Sequence, residues 1–116
     1  MKMKKLEHDL LTEKHTKVYH EEDFKYNAPH TFDVVTEKER LDGKEGTLPV
    51  AIQRIHFQEG PIKENGVNGV NNEDLIAMVI CRLEHFQKSE FSCRENALAI
   101  TKLEEALLWL RKRTMG

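Results

Sequence analysis

Ser92-Cys-Arg-Glu-Asn-Ala-Leu-Ala-Ile-Thr-Lys-Leu-Glu-Glu-Ala-Leu-Leu-Trp-Leu110 decides the fold of the last third of this chain. Ser92 followed three residues later by Glu95 is a capping-box signature, in which the two side chains satisfy first-turn backbone N–H groups, so a helix is predicted to start here. Ala99, Ile100, Leu103, Ala106, Leu107 and Leu110 recur at helical spacing as one apolar face, while Glu95, Lys102, Glu105 and Lys112 fall opposite. Leu98, Leu108 and Trp109 lie off that face. The helix thus has more apolar surface than one neighbouring helix covers, which predicts subunit contacts.

The preceding stretch, Glu73 to Gln87, supplies the neighbour. Asn71 or Asn72 suits its N-cap, Glu73 and Asp74 suit the positive end of its dipole, and Leu75, Ile76, Met78, Val79, Ile80, Leu83 and Phe86 make it apolar on more than one face. Only a few residues, Gln87 to Phe91, connect the two helices, a length that makes consecutive helices antiparallel neighbours. An antiparallel helical hairpin is expected.

Upstream the pattern turns β-like. Residues 1–14 read as a short helical turn or an arm, and His15 to His20 as a short strand ending in Glu21-Glu-Asp23. Asn27-Ala-Pro29 marks a turn, and Thr31 to Thr36 a second strand with Phe32 and Val34 on one face. The polar run 37–46 connects it to Leu48–Phe57, the strongest strand. There Val50 and Ile52 share one face and Ile55 and Phe57 the other, so Gln53 and Arg54 mark either a bulge or a strand covered on both sides. Either arrangement makes Arg54 a candidate ligand contact. Gly60-Pro61 ends the strand, Ile62-Lys-Glu64 adds a short extension, and the asparagine- and glycine-rich run Asn65 to Asn72 leads into the first helix.

Length and charge bound the function. The 116 residues suit one domain with a modest core. Net charge is −2 with 33% charged residues, a balance that argues against DNA or RNA as partner yet suits a small anion held by a few local cations. No apolar run approaches membrane-spanning length and the Met-Lys-Met-Lys-Lys start lacks a signal-peptide core, so a cytoplasmic protein without membrane contact is expected. Cys81 and Cys93 are too few for a disulfide framework and read as small apolar thiols.

Three features can carry binding chemistry. The Gly66–Asn72 loop combines glycines that permit close backbone approach with amides, among them Asn68 and Asn72, that offer donors and acceptors. Its alternative reading is a turn and N-cap without a ligand, and Glu73 and Asp74 repel a phosphate on the helix axis. Arg94 is a cation in the first turn of a helix, where it costs from a few tenths to about 1 kcal/mol. An anion nearby reverses that cost by a bidentate pair, and a salt bridge or plain solvation is the alternative. His85, Phe86 and Phe91 near the hairpin turn suit stacking on a base or, equally, closing a two-helix core. His85 follows Cys81 by four residues, but no four-ligand spacing accompanies them, and no metal or other cofactor is expected. No nucleophile, base and orienting group stand at a usable spacing, so no catalytic residues and no enzyme are expected.

Phe57-Gln-Glu-Gly-Pro-Ile, Gly66-Val-Asn-Gly-Val, His85-Phe-Gln and the Cys93 to Leu110 run resemble the phage family sharing a C-terminal hairpin domain, which includes the type-one Thoeris anti-defence proteins and the second anti-CBASS protein. The resemblance covers about half the chain, from Gly60 to Arg113, and the β-rich first half is similar to the Thoeris branch. It implies a sponge, a protein that sequesters cyclic nucleotide immune signals without cleaving them. It further implies that Arg94 is a phosphate ligand for a cyclic trinucleotide, with Gly69 and Asn72 in the same pocket. The chain carries Asn71-Asn72 where relatives favour Thr.

The expectation is therefore an α+β protein in a single domain over 1–116. A small antiparallel β-sheet in 1–64 is followed by the glycine loop and antiparallel helical hairpin in 65–116, assembled as a homo-oligomer, a dimer or hexamer. The expected ligands are cyclic ADP-ribose isomers and cyclic di- or trinucleotides, in the cytoplasm of an infected host cell. A protein-interaction module whose hairpin docks a partner is the rival from a different class.

Overall fold

The computed structural model describes residues 1–115; Gly116, the last residue of the expected hairpin span, lies outside them. Four strands come first, β1 (Met3–Lys5), β2 (Thr16–Glu21), β3 (Thr31–Glu39) and β4 (Thr47–His56), then three helices, α1 (Ile62–Asn65), α2 (Asn72–Gln87) and α3 (Arg94–Met115). Two compact units result, one from Met1 to Val70 and one from Asn71 onward. No helix among the described residues is long and apolar enough to cross a membrane.

The first unit is an antiparallel sheet in the order β1-β2-β3-β4. Strand β1 corrects the expected helical turn or arm at the start of the chain: Met3 pairs with Glu21 and Lys5 with Tyr19. At Gln53 and Arg54, where either a bulge or cover on both sides is expected, neither is found: both residues pair regularly and are exposed, and the bulge lies elsewhere. Pairing is regular through Asp33↔Arg54 and Val34↔Gln53, then shifts between Thr36↔Ala51 and Glu37↔Pro49, leaving Val50 as the extra residue. Pro49, which has no N–H to give a ladder, is tolerated because β4 is an edge strand.

Alternation sorts the two faces. Register places Val18, His20, Phe32, Val34 and Ile55 on one side. There Phe32 meets Phe57 edge-on at 5.5 Å and His20 at 6.0 Å. The other side is mixed, with Tyr19, Val35 and Ile52 beside Glu21, Thr31 and Asp33, the last three of which are buried. The Glu21 carboxylate accepts the backbone N–H groups of His30 and Thr31 (3.0 Å to Thr31), and His30 Nε2 lies 2.6 Å from the Lys25 carbonyl. This staple holds the β2–β3 connection, where Tyr26 and Asn27 adopt positive φ.

The second unit is the antiparallel hairpin of α2 and α3. Asp74 reaches back to the Asn71 N–H (2.8 Å), fixing the start of α2 at the first of the two asparagines considered as caps. Helix α3 begins at Arg94 and its first turn closes on the Cys93 carbonyl (Ala97 N–H, 3.3 Å), so Ser92 stands one residue outside the N-cap and out of register for a Ser92–Glu95 capping box. Gln87 does that work instead: its amide accepts the Cys93 N–H and donates to the Cys93 carbonyl, both at 2.9 Å. Ile80 is the one buried apolar residue among those described, while Leu98, Leu108 and Trp109 are exposed. The hairpin thus keeps much of its apolar surface open.

Candidate functional site

The turn end of α2 carries the densest set of binding groups. Arg82, Phe86 and Ser89 fall at i, i+4 and i+7 and His85 at i+3, one stripe of a helical surface. With Phe91 they line a groove of about 510 Å³. The Arg82 guanidinium lies 5.1 Å from the centre of the Phe86 ring, a cation–π stack. Ser89 donates to the Phe86 carbonyl (2.6 Å) and accepts the Phe91 N–H (3.1 Å), which pins Phe91 at the groove wall. His85 Nδ1 donates to the Cys81 carbonyl at 2.9 Å, so in the neutral ring Nε2 is left as the acceptor. Flat apolar rings, a fixed cation and an imidazole in one recess suit an anionic heteroaromatic ligand.

His85, Phe86 and Phe91 are thus brought together, as the sequence suggested, and Arg82 completes the set. Its position four residues before Phe86 was the signal that pattern reading passed over. Arg94, the first residue of α3, is exposed and has no carboxylate within salt-bridge distance among the described residues. Of its two ligand-free readings only solvation is left. Asn72, the first residue of α2, is exposed as well.

The other candidates belong to the sheet unit, where they have structural partners. Both ends of the Asn68 amide bind Glu59, accepting its N–H at 2.7 Å and donating to its carbonyl at 2.8 Å. A Cβ on Gly69 would lie 2.5 Å from the His56 and Phe57 carbonyl oxygens, so glycine is needed where the loop crosses the end of β4. There Val70 bridges Phe57 in parallel. The loop expected to go with the hairpin is therefore stitched to the sheet. Arg54 forms a two-pronged pair with Asp33, which raises its own pKa and lowers that of the carboxylate. Among the described residues no cluster of metal-ligating side chains occurs.

Comparison with known proteins adds to this geometry. The family model for the Acb2/Tad1 hairpin domain matches residues 50–115. A protein from Bacillus phage SBSphiJ7 named Thoeris anti-defense 1 is 51% identical over 128 residues, an alignment that takes in 97% of this chain and 90% of that relative.

Proposed function

We propose that this chain, which belongs to the Acb2/Tad1 family, is a phage anti-defence protein that works by holding a cyclic nucleotide signal intact. The anti-defence role rests on the extent of its identity with the Thoeris anti-defense 1 protein. The sponge mechanism rests chiefly on one observation, the Arg82 guanidinium stacked on Phe86 in a groove shared with His85 and Phe91. A base stacked on one aromatic ring gains about 1–3 kcal/mol, and a phosphate held by arginine adds charge-assisted bonds.

The preferred ligand is a cyclic ADP-ribose isomer, whose base and pyrophosphate match a ring beside a cation. Cyclic di- and trinucleotides are the second class, with Arg94 as the phosphate ligand for the trinucleotide. Sequestration requires no turnover: an abundant protein with nanomolar affinity, about −12 kcal/mol, removes a scarce signal from the infected cell's cytoplasm. Such affinity requires enclosure, and a second copy of the chain supplies the missing wall. The open apolar surface of the protomer supports that self-association.

Calorimetric titration with cyclic ADP-ribose isomers and with cyclic di- and trinucleotides tests this, followed by heat release and chromatography of the ligand. Tight binding with intact ligand recovered is expected, weakened at least about tenfold in Arg82→Gln. Altered ligand after incubation would mean a hydrolase. An intact oligomer that binds none of these ligands would leave the rival, a module that docks a protein.

A further inference from the structure

Glu95, Leu98, Lys102, Glu105, Trp109 and Lys112 recur along α3 at alternating spacings of three and four, the period of a coiled-coil seam. All six side chains are exposed, Leu98 at 45% and Trp109 at 63%. They form a different face from Ala99, Ile100, Leu103, Ala106, Leu107 and Leu110, which are all half-buried.

The order of chemistry along this face has a property that a merely solvated face does not need. Read forwards it is acid, apolar, base, acid, apolar, base; read backwards, every acid falls on a base and each apolar residue on the other. We propose that this face of α3 is a homotypic interface in which two copies pack antiparallel about a two-fold axis. Glu95 then meets Lys112 of the second copy, Leu98 meets Trp109, and Lys102 meets Glu105. Each pair occurs twice, as an isologous contact requires. The groove of about 340 Å³ bounded by Glu105, Leu108, Trp109 and Lys112 receives the second copy's Leu98 as knob into hole, with the Lys112 ammonium 5.4 Å from the Trp109 ring centre at its edge. The one like-charged pair in this register among the described residues, Arg94 against Arg113, falls at the ends of the seam, where solvent screens it. A parallel pairing sets Lys102 on Lys102 and Glu105 on Glu105. Charge therefore selects the antiparallel partner, and the twinned Leu98–Trp109 contacts anchor it.

The interface rests on the self-association proposed above and supplies its geometry. Sedimentation of the full chain and of Lys102→Glu and Glu105→Lys tests it. Each variant alone is expected to self-associate at least about tenfold more weakly than the native chain, because two like-charged contacts replace two pairs. An equimolar mixture is expected to recover, since each chain then carries the charges the other lacks, although the spacing of like charges within each helix is unchanged. Trp109→Ala, which alters no charge, is expected to weaken association as well. A native oligomer untouched by the charge variants, or a mixture that fails to recover, overturns this interface while leaving self-association and ligand capture standing. A native chain that stays monomeric overturns self-association itself, and ligand titration then decides separately whether the sponge survives.

Discussion

Arg54 on β4 stands directly opposite Asp33 on β3 and grips it with two bonds, Nε to Oδ1 at 2.7 Å and Nη2 to Oδ2 at 2.9 Å. Those bonds hold the Asp33 carboxyl below its ordinary value of 3.8, against burial, which pushes it up. A carboxylate whose folded pKa is depressed adds stability that is complete above the unfolded value and is lost as pH falls through the folded one. Asp33→Asn is therefore expected to be less stable than the native chain at neutral pH, with the gap closing once the pH is well below 3.8. Urea unfolding across a pH series reads this directly. A gap that persists unchanged into acid would show that the pair has no such role.

The Glu21 staple concerns buried backbone. Burial pushes this carboxyl up, yet the N–H groups of His30 and Thr31 outweigh it and hold the pKa below 4.5. Glu21→Ala leaves both buried donors without their acceptor, a loss of about 1–3 kcal/mol. Glu21→Gln keeps an acceptor oxygen and is expected to lose less. Equal losses from the two variants, measured by denaturant unfolding at neutral pH, would mean that packing rather than hydrogen bonding sets the effect.

Reading the sequence recovered what period and punctuation encode. The strands around Val18 and Phe32 alternate, β4 is rich in β-branched residues, and α2 and α3 repeat their apolar residues at helical spacing, so the sheet and hairpin were legible. Strand β1 was not, because Met3-Lys-Lys5 carries no alternation and is held by backbone pairing to β2. The bulge was misplaced because β4 has apolar residues on both faces, which imitates a change of phase at Gln53. The site was half legible for a different reason. Asn68 offers the same donors and acceptors whether they meet a ligand or Glu59, and only coordinates distinguish the two. Arg82 belongs to no motif in the sequence, and its use depends on the Phe86 ring beneath it.

Gly69 tests whether the loop was rightly assigned to packing. Its φ requires no glycine, so the constraint is space alone: the added methyl group of Gly69→Ala meets the carbonyls of His56 and Phe57, which belong to the backbone and give way little. Overpacking of this kind costs about 1–3 kcal/mol. The loss is expected in the sheet unit, as faster amide exchange at Gln58 and Val70, whose backbone bonds tie the loop to the end of β4. Full protection at those amides would contradict the steric account.

Arg94 separates function from stability. In the first turn of α3 its charge opposes the helix dipole, and no carboxylate among the described residues, neighbouring Glu95 included, forms an ion pair with it. Arg94→Ala also introduces the best helix former, so the variant is expected to unfold no more easily than the native chain and to gain from a few tenths to about 1 kcal/mol. The same substitution removes the proposed phosphate ligand, so trinucleotide binding is expected to fall at least about tenfold while cyclic ADP-ribose binding at the Arg82 groove persists. Thermal unfolding and calorimetry on one preparation decide it. A variant that is both less stable and equally tight toward the trinucleotide would place Arg94 among the structural residues and remove it from the site.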